Sequence, residues 1–92
     1  MDDMQEVWVF VGAAAKFPSG VFAILADAER WISKHSLTGV LTAYPVGIGV
    51  FDQAVEQGTF SPKNDRQRSP DFIGRFSSAS QDHYHYEDGH RI

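Results

Sequence analysis

A segment with the apolar spacing of a helix lies between two segments with the composition of strands. This order constrains the fold of the chain more than any other feature of its sequence. From Ile24 to His35 the residues of a stripe recur at three- and four-residue spacing, which is the period of one helix face. Val7–Val11 precedes the stripe and Val40–Tyr44 follows it, and both runs are rich in the β-branched and aromatic residues of strands. Because Val7–Val11 is apolar at every position, we predict a central strand that is covered on both faces.

Local signals predict shorter elements around these three. Val21–Ala23 is expected to form a short strand that pairs back on the first strand as a hairpin. Gly39 is expected to stop the helix, because glycine commonly follows the last helical turn. Val50–Val55 carries apolar residues on one face and Gly58 follows it, which predicts a short second helix.

The last third of the chain completes the predicted architecture. Ser69-Pro70 is expected to begin another turn of helix. Residues 81–87 alternate as in a final strand, and Asp88-Gly89 is a turn signal. This order of elements predicts an α+β fold, in which a small, mainly antiparallel sheet has one long and one or two short helices packed on one face.

The length of 92 residues supports one core, so we expect a single domain over residues 1–92. Its core is expected to extend from about residue 7 to about residue 88, with flexible ends at 1–6 and 89–92. The side chains expected to be buried in one cluster are Val9, Phe10, Leu25, Ala28, Trp31, Ile32, Leu41 and Val55.

Composition narrows the compartment and the partners. The chain has no cysteine, and its longest nearly apolar stretch, Val7–Ala15, is too short to span a bilayer. Its start, Met1–Glu6, is acidic where a signal peptide would be basic, so we expect a cytoplasmic protein. The formal net charge of −4 argues against a nucleic-acid binder, which normally presents a basic face. We therefore expect neither a nucleic-acid nor a membrane partner.

The predicted final strand contains candidate metal ligands. On a strand, His83 and His85 point to one face with Glu87 in line behind them, and imidazole and carboxylate groups are suitable ligands for zinc. A third ligand would have to come from elsewhere, such as His35 or His90. A polar strand face explains the same pattern, so we expect no bound metal and no cofactor.

Acidic side chains at both ends of the chain suit a basic partner. If the first and last strands are neighbours, one negative patch joins Asp2, Asp3 and Glu6 to Asp82, Glu87 and Asp88. Tyr84 and Tyr86 would stand beside this patch as anchors that combine apolar area with a hydroxyl group. The predicted partner-binding residues are Asp82, Tyr84, Tyr86, Glu87 and Asp88.

Four segments of the chain follow one another in a distinctive order. They are Phe17–Phe22 (FPSGVF), Leu37–Pro45 (LTGVLTAYP), Phe76–Gln81 (FSSASQ) and His83–Gly89 (HYHYEDG). With these segments the chain resembles a family of small bacterial domains of unknown function, over most of its length from Val7 to Gly89. The resemblance implies a compact bacterial cytoplasmic domain, and it implies no catalytic or binding residues.

Two functions of different classes fit the sequence. The one we favour is a small acidic, non-catalytic module that binds another protein by stoichiometric contact, such as an immunity protein or an inhibitor. Small size, net acidity, abundant aromatic residues and the lack of a catalytic signature indicate it. The alternative is a small metal-dependent enzyme or metal-binding protein that uses the strand with His83 and His85. The oligomeric state stays open.

Overall fold

The structure, a computed structural model, describes residues 6–92. Its strands are β1 (Glu6–Gly12), β2 (Gly20–Phe22), β3 (Gly39–Pro45), β4 (His83–Glu87) and β5 (His90–Arg91). Its helices are α1 (Leu25–Lys34), α2 (Val50–Gln57) and α3 (Pro70–Gly74), with a 3₁₀ turn at Asp65–Arg68 before α3. The strands form one sheet in the order β2-β1-β3-β4-β5, and every neighbouring pair is antiparallel. The predicted α+β class and antiparallel sheet are therefore confirmed.

The pairing of β1 with β3 forms the centre of the sheet. The two strands pair along seven residues each, from Glu6 opposite Pro45 to Gly12 opposite Gly39. Gly39 has no room for a side chain, because a Cβ there would clash with the carbonyl oxygen of Val11 and lie 2.7 Å from the Phe10 ring. Gly39 therefore serves close strand packing.

The prediction that Gly39 stops the helix is wrong, because it lies inside β3. Helix α1 ends earlier, with His35 as its C-cap residue. Ser36 then takes a left-handed conformation with a φ of 55°, which turns the chain toward β3. The glycine signal was correct at Gly58, which caps α2 with a φ of 77°.

The core lies between α1 and one face of the sheet. Its buried residues are Trp8, Phe10, Ala28, Ile32, Leu41, Ala43 and Tyr86. The alternation of β1 and β3 directs their larger apolar side chains to this face, where Ala28 and Ile32 of α1 pack on them. Leu25 and Trp31, which were predicted to be buried, are half-buried against the same cluster.

Two residues expected in the core lie outside it. Val9 points to the opposite face of the sheet and is half-exposed, because it alternates with the buried Trp8 and Phe10. Val55 is 40% exposed, because α2 buries Phe51 and Ala54 instead.

A second apolar cluster lies in the long connection between β3 and β4. It consists of Phe51, Phe60, Phe72 and Phe76, and every pair of these rings has centroids 4.8–6.3 Å apart. Ser69 caps the short helix α3 by accepting a hydrogen bond from the Phe72 amide, as Ser69-Pro70 predicted. Residues 6–92 thus form two apolar clusters where the sequence predicted one.

The helices differ from the expected arrangement of one long helix and short ones packed on one face of the sheet. Helix α1 has only ten residues, and it alone among the helices contributes buried side chains to the core beside the sheet. Helices α2 and α3 pack instead around the phenylalanine cluster. None of the helices formed by residues 6–92 is long and apolar enough to cross a bilayer.

We expect Ile32→Ala to lower the free energy of unfolding by about 2–5 kcal/mol, because it leaves a cavity under α1 where Ile32 is fully buried. Ile24→Ala is the matched control. Ile24 stands at the N-cap of the same helix and is 57% exposed, so its truncation should change stability by no more than about 0.5 kcal/mol. Urea denaturation of the three proteins measures both differences. Equal losses in the two variants would show that the buried face of α1 is wrongly assigned.

Candidate binding surface

The face of the sheet opposite α1 carries small side chains in cross-strand rows, and we call it the open face. One row is Val21, Val9, Thr42 and His83, the next is Val11, Val40 and His85, and Val7 pairs with Tyr44 beside them. None of these side chains is buried by residues 6–92, and Val21 is 63% exposed. The prediction that Val7–Val11 is covered on both faces is therefore wrong for the part of the chain that the structure describes.

The open face is apolar and nearly free of charge. Strands β1, β2 and β3 contribute only valine, threonine and tyrosine to it, because the single charged residue among them, Glu6, alternates with Trp8 toward the other face. Charge begins only at the margin, with Glu87 at the end of β4 and Asp88 in the turn that follows. Contiguous exposed apolar surface of this kind marks interaction sites in soluble proteins.

The two tyrosines predicted as surface anchors face α1. Tyr86 is buried, and its hydroxyl donates a 2.6 Å hydrogen bond to Oε2 of Glu29 on α1. Tyr84 is half-buried, with its ring stacked on Trp8 at a centroid distance of 5.7 Å. The guanidinium carbon of Arg91 lies 3.8 Å from the centre of the Tyr84 ring. Both rings thus pack within the fold and not beside an acidic surface.

Glu29 joins the helix to the last two strands. Its Oε2 accepts the Tyr86 hydroxyl, the Nε of Arg91 at 3.0 Å and also an Arg91 terminal nitrogen. Burial, and then the hydrogen bond to Glu29, raises the pKa of Tyr86 from 10.0 to about 12. The hydrogen bond from Tyr86, aided by Arg91 and opposed by burial, lowers the pKa of Glu29. Residues 89–92, expected at a flexible end, thus include β5 and the Arg91 side chain that binds Glu29.

The acidic side chains among residues 6–92 do not form one patch, because they lie at opposite ends of β4. Glu6 and Asp82 line a cavity of about 340 Å³ between α2 and the end of β3. Glu87 and Asp88 lie at the opposite end of β4, where the Asp88 amide donates to the hydroxyl of Thr38. Asp2 and Asp3 lie outside the described residues.

The candidate metal ligands are only partly brought together. His83 and His85 are exposed neighbours on the open face, with ring centroids 5.5 Å apart. His35 packs against Trp31 on α1, on the other side of the sheet, and His90 pairs with Glu87 at the outer edge. Within residues 6–92 no group of three histidine or acidic side chains is placed to hold a metal ion.

Sequence reasoning missed the open face, although a signal for it was present. In β1 the large residues Trp8 and Phe10 alternate with the smaller Val7, Val9 and Val11. Such alternation distinguishes a strand's two faces by size even where both are apolar. The larger residues of β1 mark the helix-covered side, and the valines mark the open face.

A family model described as a domain of unknown function, DUF7710, matches residues 7–92 of the chain. No curated protein and no solved structure matches the chain.

We expect Tyr86 to ionise at a pH near 12 when phenolate absorbance is followed during an alkaline titration. Because the folded state keeps this proton longer than the unfolded state, the contribution of Tyr86 to stability is present below pH 10 and is lost as the pH rises toward 12.

The variant Tyr86→Phe removes the late titration step, and Tyr44→Phe is the control that should keep it. At neutral pH we expect Tyr86→Phe to be less stable than the wild type by about 0.5–1.5 kcal/mol, the usual contribution of one hydrogen bond. This difference should narrow above pH 10. A late step that persists in Tyr86→Phe would contradict the assignment.

We expect zinc to leave the melting temperature of the chelator-treated protein nearly unchanged, because His83 and His85 lack a third ligand among residues 6–92. A tightly bound ion would instead add about 2.7 kcal/mol of stability at a hundredfold excess over its dissociation constant. A rise of that size, lost in His83→Ala, would establish a metal site.

Proposed function

The chain belongs to the DUF7710 family, and we propose that it is a cytoplasmic, non-catalytic domain that binds another protein by stoichiometric contact through its open face. The observation that carries this proposal is the set of uncharged cross-strand rows that residues 6–92 leave without cover. Covering this apolar surface with a partner contributes about 25 cal/mol of favourable free energy for each Å² removed from water. An immunity protein or an inhibitor acts in this way.

The valine and threonine rows of the open face suit the packing of a second apolar layer. Valine and threonine side chains stand perpendicular to the sheet and leave shallow grooves between the rows. Tyr44, which pairs with Val7 at one end, is the largest side chain on this face and adds a hydroxyl group to it. We infer that Tyr44 anchors the partner, in place of the inward-facing Tyr84 and Tyr86.

The charges around the open face indicate the chemistry of the partner. Glu87 and Asp88 end β4, so acidic groups border this face at that end of the strand, whereas Asp82 at the other end lines the cavity with Glu6. Basic residues of α1, such as Arg30 and Lys34, lie on the covered side of the sheet. We therefore propose a partner whose apolar patch is bordered by basic side chains. Complementary charges of this kind act mainly on the association rate.

The alternative, a metal-dependent activity at His83 and His85, has less support. The two imidazoles are neighbours, but no third ligand joins them within residues 6–92. The serines that precede β4 are used in a local turn, where the Ser78 and Ser80 hydroxyl groups bond each other at 2.6 Å. On the open face the same histidines serve as polar margin residues beside the valine rows.

Thr42→Lys tests the proposal by placing a charge in the centre of the open face. Thr42 lies between Val9 and His83 in one row and is half-exposed, so the domain should stay folded. Val55→Lys is the matched control, since it adds the same charge at an exposed position of α2. We expect Thr42→Lys to weaken the binding of a cognate protein at least tenfold, and Val55→Lys to leave it unchanged.

The three proteins are immobilised and exposed to extract from cells that produce the chain, and the retained proteins are quantified by mass spectrometry. The cognate partner is the protein that both the wild type and Val55→Lys retain and Thr42→Lys does not. Its association rate with the wild type should fall as salt rises, because exposed charges are screened beyond about 10 Å at 0.1 M. The double change Glu87→Gln and Asp88→Asn should also slow association. The proposal would be wrong if Thr42→Lys retained every protein that the wild type captures.

A further inference from the structure

The sheet ends on one side at β2, a strand of three residues that pairs only with β1. No strand formed by residues 6–92 pairs with its outer side, so its outward backbone groups are open to another chain. An exposed strand edge of this kind is a template for pairing, and natural proteins usually protect it with charged side chains.

The two edges of the sheet differ in this protection. The β5 edge carries His90 and Arg91. In the β2 segment, residues 17–26 contain no acidic or basic residue, although 22% of the chain is charged. Pro18 and the shortness of β2 are the protective features that remain at this edge.

Exposed apolar side chains concentrate in the same segment. Phe17 is 76% exposed, Val21 is 63% exposed and Ile24 is exposed at the start of α1. They are among the most exposed large apolar residues that the structure describes, and they lie within the positions 17–24. The β2 edge therefore presents unpaired backbone groups together with apolar side chains that water solvates poorly.

We propose that the chain forms a two-fold homodimer in which the β2 strands of two copies pair antiparallel and join the two sheets edge to edge. A second copy fits this edge better than the basic partner of the open face does, because the edge offers no charge to such a partner. Two chains of net charge −4 repel each other wherever acidic groups meet. Pairing about Val21 sets the neutral segment against itself, so that no like charges stand opposite one another.

The dimer also has a consequence for the proposed function. This consequence rests on the proposed function, whereas the dimer itself does not. A two-fold axis that relates antiparallel neighbouring strands is perpendicular to the sheet, so both open faces point to the same side. One strand residue covers about 16 Å² of sheet plane, from about 3.3 Å of rise and about 4.8 Å of strand spacing. Strands of seven, seven, five, three and two residues thus present an open face of about 400 Å² in projection. Edge pairing doubles this surface for the partner.

Sedimentation velocity over a concentration series from micromolar to millimolar tests the dimer. We expect a concentration-dependent dimer in the wild type, with backbone amides 20–22 gaining protection from hydrogen exchange as it forms.

Val21→Lys should weaken dimerisation at least tenfold, because it brings two lysines together across the axis. Phe17→Ser, in the exposed segment before β2, is a second variant that should weaken it. Val46→Lys is the matched control at an exposed valine after β3 and should leave the dimer unchanged.

The open-face variant Thr42→Lys separates edge pairing from face-to-face packing, because Thr42 lies two strands away from the β2 edge. An edge dimer survives this change and is lost in Val21→Lys. A chain that stays monomeric at every concentration, a dimer that tolerates both Val21→Lys and Phe17→Ser, or a dimer lost in Thr42→Lys would each overturn the proposal. A dimer lost in Thr42→Lys would place a second copy on the open face and would also contradict the proposed partner. The other two outcomes leave capture of a partner by the open face unaffected, and the retention experiment tests that capture separately.

Discussion

The seven-residue pairing of β1 with β3 decides which side of the sheet every other element can use. Its register sets Trp8 opposite Ala43 and Phe10 opposite Leu41, so the larger side chains collect on one face. Helix α1 covers that face with Ala28 and Ile32, and the valines of β1 are left on the other. A slip of one residue would exchange the two faces completely. The core and the open face are therefore two results of one register.

The carboxylate of Glu29 fixes the outer strands to this centre. It receives hydrogen bonds from Tyr86 on β4 and Arg91 on β5, while its own backbone belongs to α1. A buried phenol that lost this acceptor would keep the cost of its desolvation without a compensating bond. The ion pair between Arg91 and Glu29 is half-exposed, so its charge attraction contributes little to stability. Its main effect is to hold the Arg91 side chain in place. Arg91 also covers Tyr84, so the last residues of the chain help to close the core.

Local signals in the sequence were sufficient for most elements. The β-branched run at Val7–Val11, the glycine after α2, the Ser69 cap and the Asp88-Gly89 turn each depend on residues within a few positions of one another. Asp88 and Gly89 have φ values of 51° and 88°, as a tight hairpin turn between β4 and β5 requires.

Features that depend on distant residues could not be predicted in the same way. The strand order places β3 between β1 and β4, and no local pattern encodes that order. The inward direction of Tyr86 depends on Glu29, which is 57 positions away. The phenylalanine cluster depends on rings contributed by α2, the loop after it, α3 and the residues beyond α3. The surroundings of Tyr84 and Tyr86 therefore differ from those expected, even though their strand was recognised.

The neighbouring strands β3 and β4 are joined by the whole of residues 46–82, which has a consequence for how the chain folds. Closing a flexible loop costs conformational entropy that grows only slowly, by about 0.6 kcal/mol for each doubling of its length. The four phenylalanines reduce the length of flexible chain in this loop, because their rings pack on one another in its middle. Changes of length between Phe76 and Gln81 therefore alter the closure entropy by little, whereas Gln81 and Asp82 are fixed to β3 by hydrogen bonds to Ala43.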